Sequence, residues 1–123
     1  MKETIFKIGL FLLIFSFTVQ GCEKDEKLDS KILGKWQLLY STGGIVGTSY
    51  PKEGHIYTLE FTDEGILIEK DNNVITYETE YSISVDKLTY SRGALLKYTV
   101  DISNDMLELS DITFSFYYKR IKH

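Results

Sequence analysis

The chain has 123 residues, of which 43% are hydrophobic and 14% aromatic, and a formal net charge of −4. That length allows one domain with a limited core. The acidic balance, with its few lysines scattered among acids, lacks the basic stripe that a phosphate backbone demands, so no nucleic-acid partner is expected.

In chain order, Lys2 and Lys7 open an N-terminus whose uncharged, mostly apolar run from Ile8 to Val19 closes on the small Gly21 before Cys22. Residues 1–21 therefore read as a signal peptide rather than as part of the fold. As a helix the run would reach roughly 18 Å, well short of the ~30 Å hydrocarbon layer, which argues against a permanent span. Val19-Gln20-Gly21-Cys22 resembles the lipobox of bacterial lipoproteins. The resemblance implies palmitate-type acyl chains on Cys22 and residence in the bacterial cell envelope. Two or more chains give stable anchoring where one is marginal. The alternative is an ordinary cleavage site with an incidental cysteine. Cys22 is the only cysteine, so it has no partner for an internal disulfide.

Residues 22–30 continue as Glu23-Lys24-Asp25-Glu26-Lys27-Leu28-Asp29-Ser30, too polar to bury, and are expected to form a flexible acidic spacer. Within it, Lys24-Asp25-Glu26 resembles a lysine-plus-acid tag that sends lipoproteins of one Gram-negative group to the outer face of the cell outer membrane. The other reading is a plain solvated linker.

Residues 31–123 read as one all-β domain. Tyr57, Leu59 and Phe61 alternate with polar neighbours, as do Tyr77, Thr79, Tyr81 and Ile83, then Leu96, Tyr98, Val100 and Ile102, then Phe114, Phe116 and Tyr118. A period of two marks half-buried strands. Eight strands are predicted, near residues 34–42, 55–62, 65–71, 74–84, 87–91, 94–103, 105–110 and 112–121. Turn residues such as Asp71-Asn72-Asn73, Ser91-Arg92-Gly93 and Asn104-Asp105 separate them. Helix is expected to be nearly absent after Cys22. Short strands in sequence order predict an antiparallel up-and-down barrel, since closure removes both exposed edges.

Leu33-Gly34-Lys35-Trp36-Gln37-Leu38 resembles the Gly-x-Trp opening of the lipocalin and lipocalin-like families, with Leu59-Glu60-Phe61-Thr62-Asp63-Glu64-Gly65 and Tyr117-Tyr118-Lys119-Arg120 matching a second hairpin and a last strand. The resemblance implies that Gly34, Trp36 and Arg120 are structural. Arg120 would lie across the Trp36 indole where the barrel closes, a contact worth ~0.5–2 kcal/mol. A solvated tail arginine is the alternative. Because the chain is shorter than most ligand-carrying lipocalins and has no cysteine pair, the fold carries over better than transport of a bulky ligand.

Function is sought in the one long connection and in the tyrosines. Residues 43–54 hold four glycines and the only proline, and Ile45, Val46 and Tyr50 would be apolar contacts on a lid over the barrel mouth, or part of a loop folded onto the domain. Tyr40, Tyr57, Tyr77, Tyr81, Tyr90 and Tyr98 share the inward parity, and buried hydroxyls need partners. Tyr57, Tyr77, Tyr81 and Tyr98, with the lid residues, are the candidate ligand-binding set. An open, partly wet cup would suit a small hydrophobic or amphipathic ligand. Alternatively, side chains fill an eight-stranded barrel completely, leaving a module that docks to an envelope protein partner. Glu60, Glu69, Glu78, Glu80 and Glu108 are assigned to the polar parity. His55 and His123 have no third ligand at metal spacing, and no nucleophile motif occurs, so no enzyme activity, metal or cofactor is expected.

Overall fold

The computed structural model describes residues 27–122. Cys22 with its expected lipid, the signal segment 1–21, residues 23–26 of the spacer and His123 lie outside the described residues.

Eight strands close into a barrel: β1 (Gly34–Gly43), β2 (Tyr57–Phe61), β3 (Ile66–Asp71), β4 (Val74–Ser84), β5 (Lys87–Ser91), β6 (Leu95–Ser103), β7 (Met106–Ser110) and β8 (Phe114–Ile121). Each pairs antiparallel with the next, and β8 returns to pair with β1. The expected up-and-down barrel is therefore the fold. Its tight turns use asparagines in the left-handed region, with φ of 53° and 69° at Asn72 and Asn73 and 58° at Asn104. Their short polar side chains tolerate that geometry.

Gly34 opposes Phe61 and Tyr57 opposes Asp71, so the turns at 62–65, 84–87 and 103–106 gather at one end with the start of β1. The connections 44–56, 72–73, 92–94 and 111–113 gather at the other. The first end is closed. Trp36, Phe61, Leu67, Leu88 and Leu107 are fully buried there with Ile32, and burying side chains of this size stabilises by ~1.5–3 kcal/mol each.

A four-residue helix, α1 (Leu28–Lys31), caps that end. The spacer, expected to be flexible through residue 30, is instead ordered from Leu28. The reason is spacing: Leu28 and Ile32 stand four residues apart, so one helical turn turns both toward the core. The Trp36 indole N–H donates to the Ile32 carbonyl at 2.8 Å, fixing the plug to β1.

Arg120 lies over Trp36, its guanidinium carbon 4.2 Å from the ring centroid. Its Nη1 donates to the Leu33 carbonyl at 2.8 Å and its Nη2 to the Lys31 carbonyl at 2.7 Å. Gly34 makes room for this. Its φ is +113°, and a Cβ there would stand 3.2 Å from Arg120 Nη1. Glycine, tryptophan and arginine thus form one joint between the first strand, the last strand and the plug.

Candidate functional site

Above the packed half, the interior opens into a cavity of about 330 Å3 at the end opposite the plug. Leu38 on β1, Tyr57 and Leu59 on β2, Glu69 and Asp71 on β3, Tyr90 on β5, and Phe116 and Tyr118 on β8 line it, with Arg92 from the β5–β6 turn. The volume is at the small end of ligand sites, and an apolar wall with a few convergent polar groups is their usual make-up.

Strand register decides which charges face inward. Leu59 and Phe61 are buried, and they pair with Glu69 and Leu67. Directly opposed residues share a face, so Glu69 points into the barrel. Its assignment to the polar parity was incorrect: Ile66, Leu67 and Ile68 are apolar on both parities, and only pairing with β2 breaks the tie. The assignment of Tyr40 to the inward face is corrected too. The register of β1 against β8 shifts between Leu38 and Tyr40, and one extra residue reverses all later side chains. Tyr40 therefore pairs with Tyr117 and stacks on it at 4.6 Å on the outer face.

The expected binding residues fall in several places. Tyr57 lines the cavity. Tyr77 lies beneath the Arg92 guanidinium, 5.2 Å from ring centroid to guanidinium carbon. Tyr98 packs edge-on against Phe116 at 6.0 Å and beside Tyr90 at 6.2 Å, behind the wall. Tyr81 faces inward but reaches toward the closed end, its hydroxyl donating to the Thr62 carbonyl at 2.9 Å and its ring edge-on to Phe61. Ile45, Val46 and Tyr50 do not line the cavity. Residues 41–49 form a small hairpin in which Ser41 and Ser49 exchange backbone hydrogen bonds at 2.9 and 2.8 Å. That pairing puts Tyr50 on the outer face, 6.1 Å from Tyr40, and leaves Ile45 and Val46 in solvent.

Two charged contacts organise the mouth. Arg92 Nε donates to Glu69 Oε1 at 3.1 Å, bridging β4 from the β5–β6 turn to β3. His55 Nδ1 meets both Asp71 carboxylate oxygens at 3.0 Å, and its ring stacks on Tyr57 at 5.6 Å. Asn72 ties the long connection down beside them. Its side chain accepts from the Ile56 N–H at 2.8 Å and donates to the Gly54 carbonyl at 2.9 Å. Arg92 was legible in the sequence only as a turn residue; no local signal says that its side chain reaches β3.

Deeper in, burial pushes the Tyr118 and Tyr90 hydroxyls well above the ordinary phenol range. Neighbouring tyrosines and the Glu69 carboxylate reinforce both shifts. Tyr98 is raised as well, again first by burial. These phenols stay neutral and can act as hydrogen-bond partners around Glu69. Among the described residues, no three His, Cys, Asp or Glu side chains gather where they could hold a metal ion.

No family model, curated protein or solved structure matches the chain at a significant level.

Proposed function

We propose that this chain is a lipid-anchored binding protein of the bacterial envelope, whose barrel takes a small amphipathic ligand at its open end and performs no chemistry on it. The observation that carries the reading is the division of the interior: one half is sealed by Trp36, Phe61 and the Ile32 plug, and the other is a cavity of about 330 Å3 with apolar walls and a charged mouth. A barrel that only needed stability would continue its packing to both ends. The lipobox-like residues before Cys22 support the anchor, and the Arg120–Trp36 joint supports the lipocalin resemblance.

Native mass spectrometry of the chain drawn from host envelopes should show a retained small molecule, lost when Leu38 and Phe116 are both replaced by Trp to fill the cup. A ligand-free spectrum, or retention by the filled variant, would refute the reading. Palmitate labelling should disappear in Cys22→Ala, since no other thiol exists; persistent labelling would refute the anchor.

A second reading, an interaction module for another envelope protein, is favoured by one observation. Most of the exposed large apolar residues, among them Ile45, Val46, Leu95 and Ile112, stand on the open-end connections or beside them, whereas Val85 and Met106 stand at the closed end. Scattered exposed apolar residues are common, whereas a set concentrated on one end is the usual mark of a contact surface.

A further inference from the structure

On the reading that the cup binds a ligand, we infer that this ligand carries a protonated amine on a compact apolar body, its ammonium seated at Glu69 in the place that the Arg92 guanidinium takes in this structure. Three observations lead there.

The first is the balance of charge. β3 turns two carboxylates, Glu69 and Asp71, toward the cavity, and Arg92 is the one permanently positive side chain paired with either. Asp71 is met by the His55 imidazole. Lys70, which also lines the cavity, sends its ammonium to Glu60 at 3.7 Å, so neither cavity carboxylate is paired with a lysine, and the negative net charge of the chain attracts cations over distance.

The second is the manner in which Arg92 sits. It places a delocalised cation over the Tyr77 ring and against the Glu69 carboxylate, the two contacts by which an aromatic site holds an ammonium group. Arg92 is half exposed and reaches Glu69 through Nε alone. Such a contact is worth little in water, so a competing cation with an apolar body to bury displaces it readily. The guanidinium then swings into solvent from its turn.

The third is Tyr118. The residue is nine-tenths buried and lines the cavity with Glu69. An ammonium has three N–H donors, and the hydroxyl oxygen of Tyr118 accepts one while Glu69 accepts another.

The test titrates the full chain, in micelles of an uncharged maltoside detergent, with phenethylamine, phenylacetate and phenethyl alcohol, which share one apolar body and differ in charge. Amide NMR shifts at Tyr57, Glu69 and Arg92 report occupancy. Phenethylamine should bind about tenfold tighter than the alcohol, and phenylacetate weaker than both. Glu69→Gln should remove the preference for the amine over the alcohol. Arg92→Ala, which frees Glu69 and does not depend on the folding of the Gln variant, should raise affinity for the amine. Tighter binding of phenylacetate, or amine affinity that falls in Arg92→Ala, would overturn the amine assignment and leave the cup intact. Absence of saturable shifts with all three probes would overturn the cup itself, and the assignment with it.

Discussion

The two ends of this barrel use the same pair of residue types, an arginine over an aromatic ring, to opposite effect. At the closed end, Arg120 covers Trp36 with its side chain 25% exposed, directs Nη1 and Nη2 at two backbone carbonyls, and holds Asp105 through Nε at 3.6 Å. At the open end, Arg92 covers Tyr77 while 49% exposed and holds one carboxylate through one nitrogen. A guanidinium that satisfies backbone acceptors over a fully buried ring is part of the fold. One held by a half-wet ion pair is replaceable. The difference lies in what each cation is bonded to rather than in the residue type, and it separates the stabilising end of the molecule from the binding end.

The largest effect should come from emptying the closed end. Trp36→Ala removes a fully buried indole and the bond to Ile32, and should cost ~3–5 kcal/mol in denaturant unfolding. A loss below ~1 kcal/mol would mean that the closed end is not the core.

High pH should come next and should act on the open end. Burial holds Tyr90 and Tyr118 neutral in the fold, whereas the unfolded chain ionises its phenols near pH ~10. A folded-state pKa raised above the unfolded value gives stability that is complete below that value and lost as pH rises. Stability should therefore fall above pH ~10 by about 1.4 kcal/mol per pH unit for each such tyrosine. Tyr118→Phe should flatten that slope in unfolding curves recorded between pH 9 and pH 11; an unchanged slope would place its hydroxyl in water.

Gly34→Ala adds a Cβ at φ +113°, against Arg120 Nη1. It should destabilise by ~1–3 kcal/mol through strain and displacement of the guanidinium. In a background of Arg120→Ala the steric part of that loss should shrink, as thermal melts of the two variants would report.

Arg120 and Trp36 should couple by ~0.5–2 kcal/mol in a double-mutant cycle. The same cycle on Arg92 and Tyr77 should give a smaller value, because its cation is more exposed. Equal couplings at both ends would dissolve the contrast. Smallest of all, replacing Ile45 and Tyr50 together with Ser should change stability by no more than ~0.5 kcal/mol, since one is in solvent and the other rests on the outer face. A large loss in calorimetry would show that this hairpin packs more firmly than its exposure says.

The barrel was legible because its strands are half-buried. Leu59 and Phe61, or Leu107 and Leu109, announce the inward face by their own alternation, and turn residues mark each reversal. Trp36, Gly34 and Arg120 were legible through a motif whose purpose the structure explains, since a side chain at position 34 would be strained at φ +113° and would crowd Arg120. The cup was legible only in part. Tyr57 and Tyr77 were found because they follow the same alternation as the core, while Tyr81 follows it too and yet serves the closed end. Parity gives a face of the sheet and says nothing of height along the barrel.

The sequence by itself determined the fold class, the number and order of the strands and the inward face of most of them, because period-two patterning and turn chemistry are local properties. The joint at the closed end was legible only as what the lipocalin resemblance implies, and the structure shows Arg120 over Trp36. The tertiary structure alone decided that Tyr40 faces outward, because one bulge reverses parity. It decided that Glu69 faces inward, because a run apolar on both sides takes its register from β2. It brought Arg92 from a turn across β4 to Glu69, a contact between residues 23 apart in the chain that no local pattern encodes. The ends of a barrel are assembled from many separated segments, so the charges that meet at its mouth depend on register and closure together.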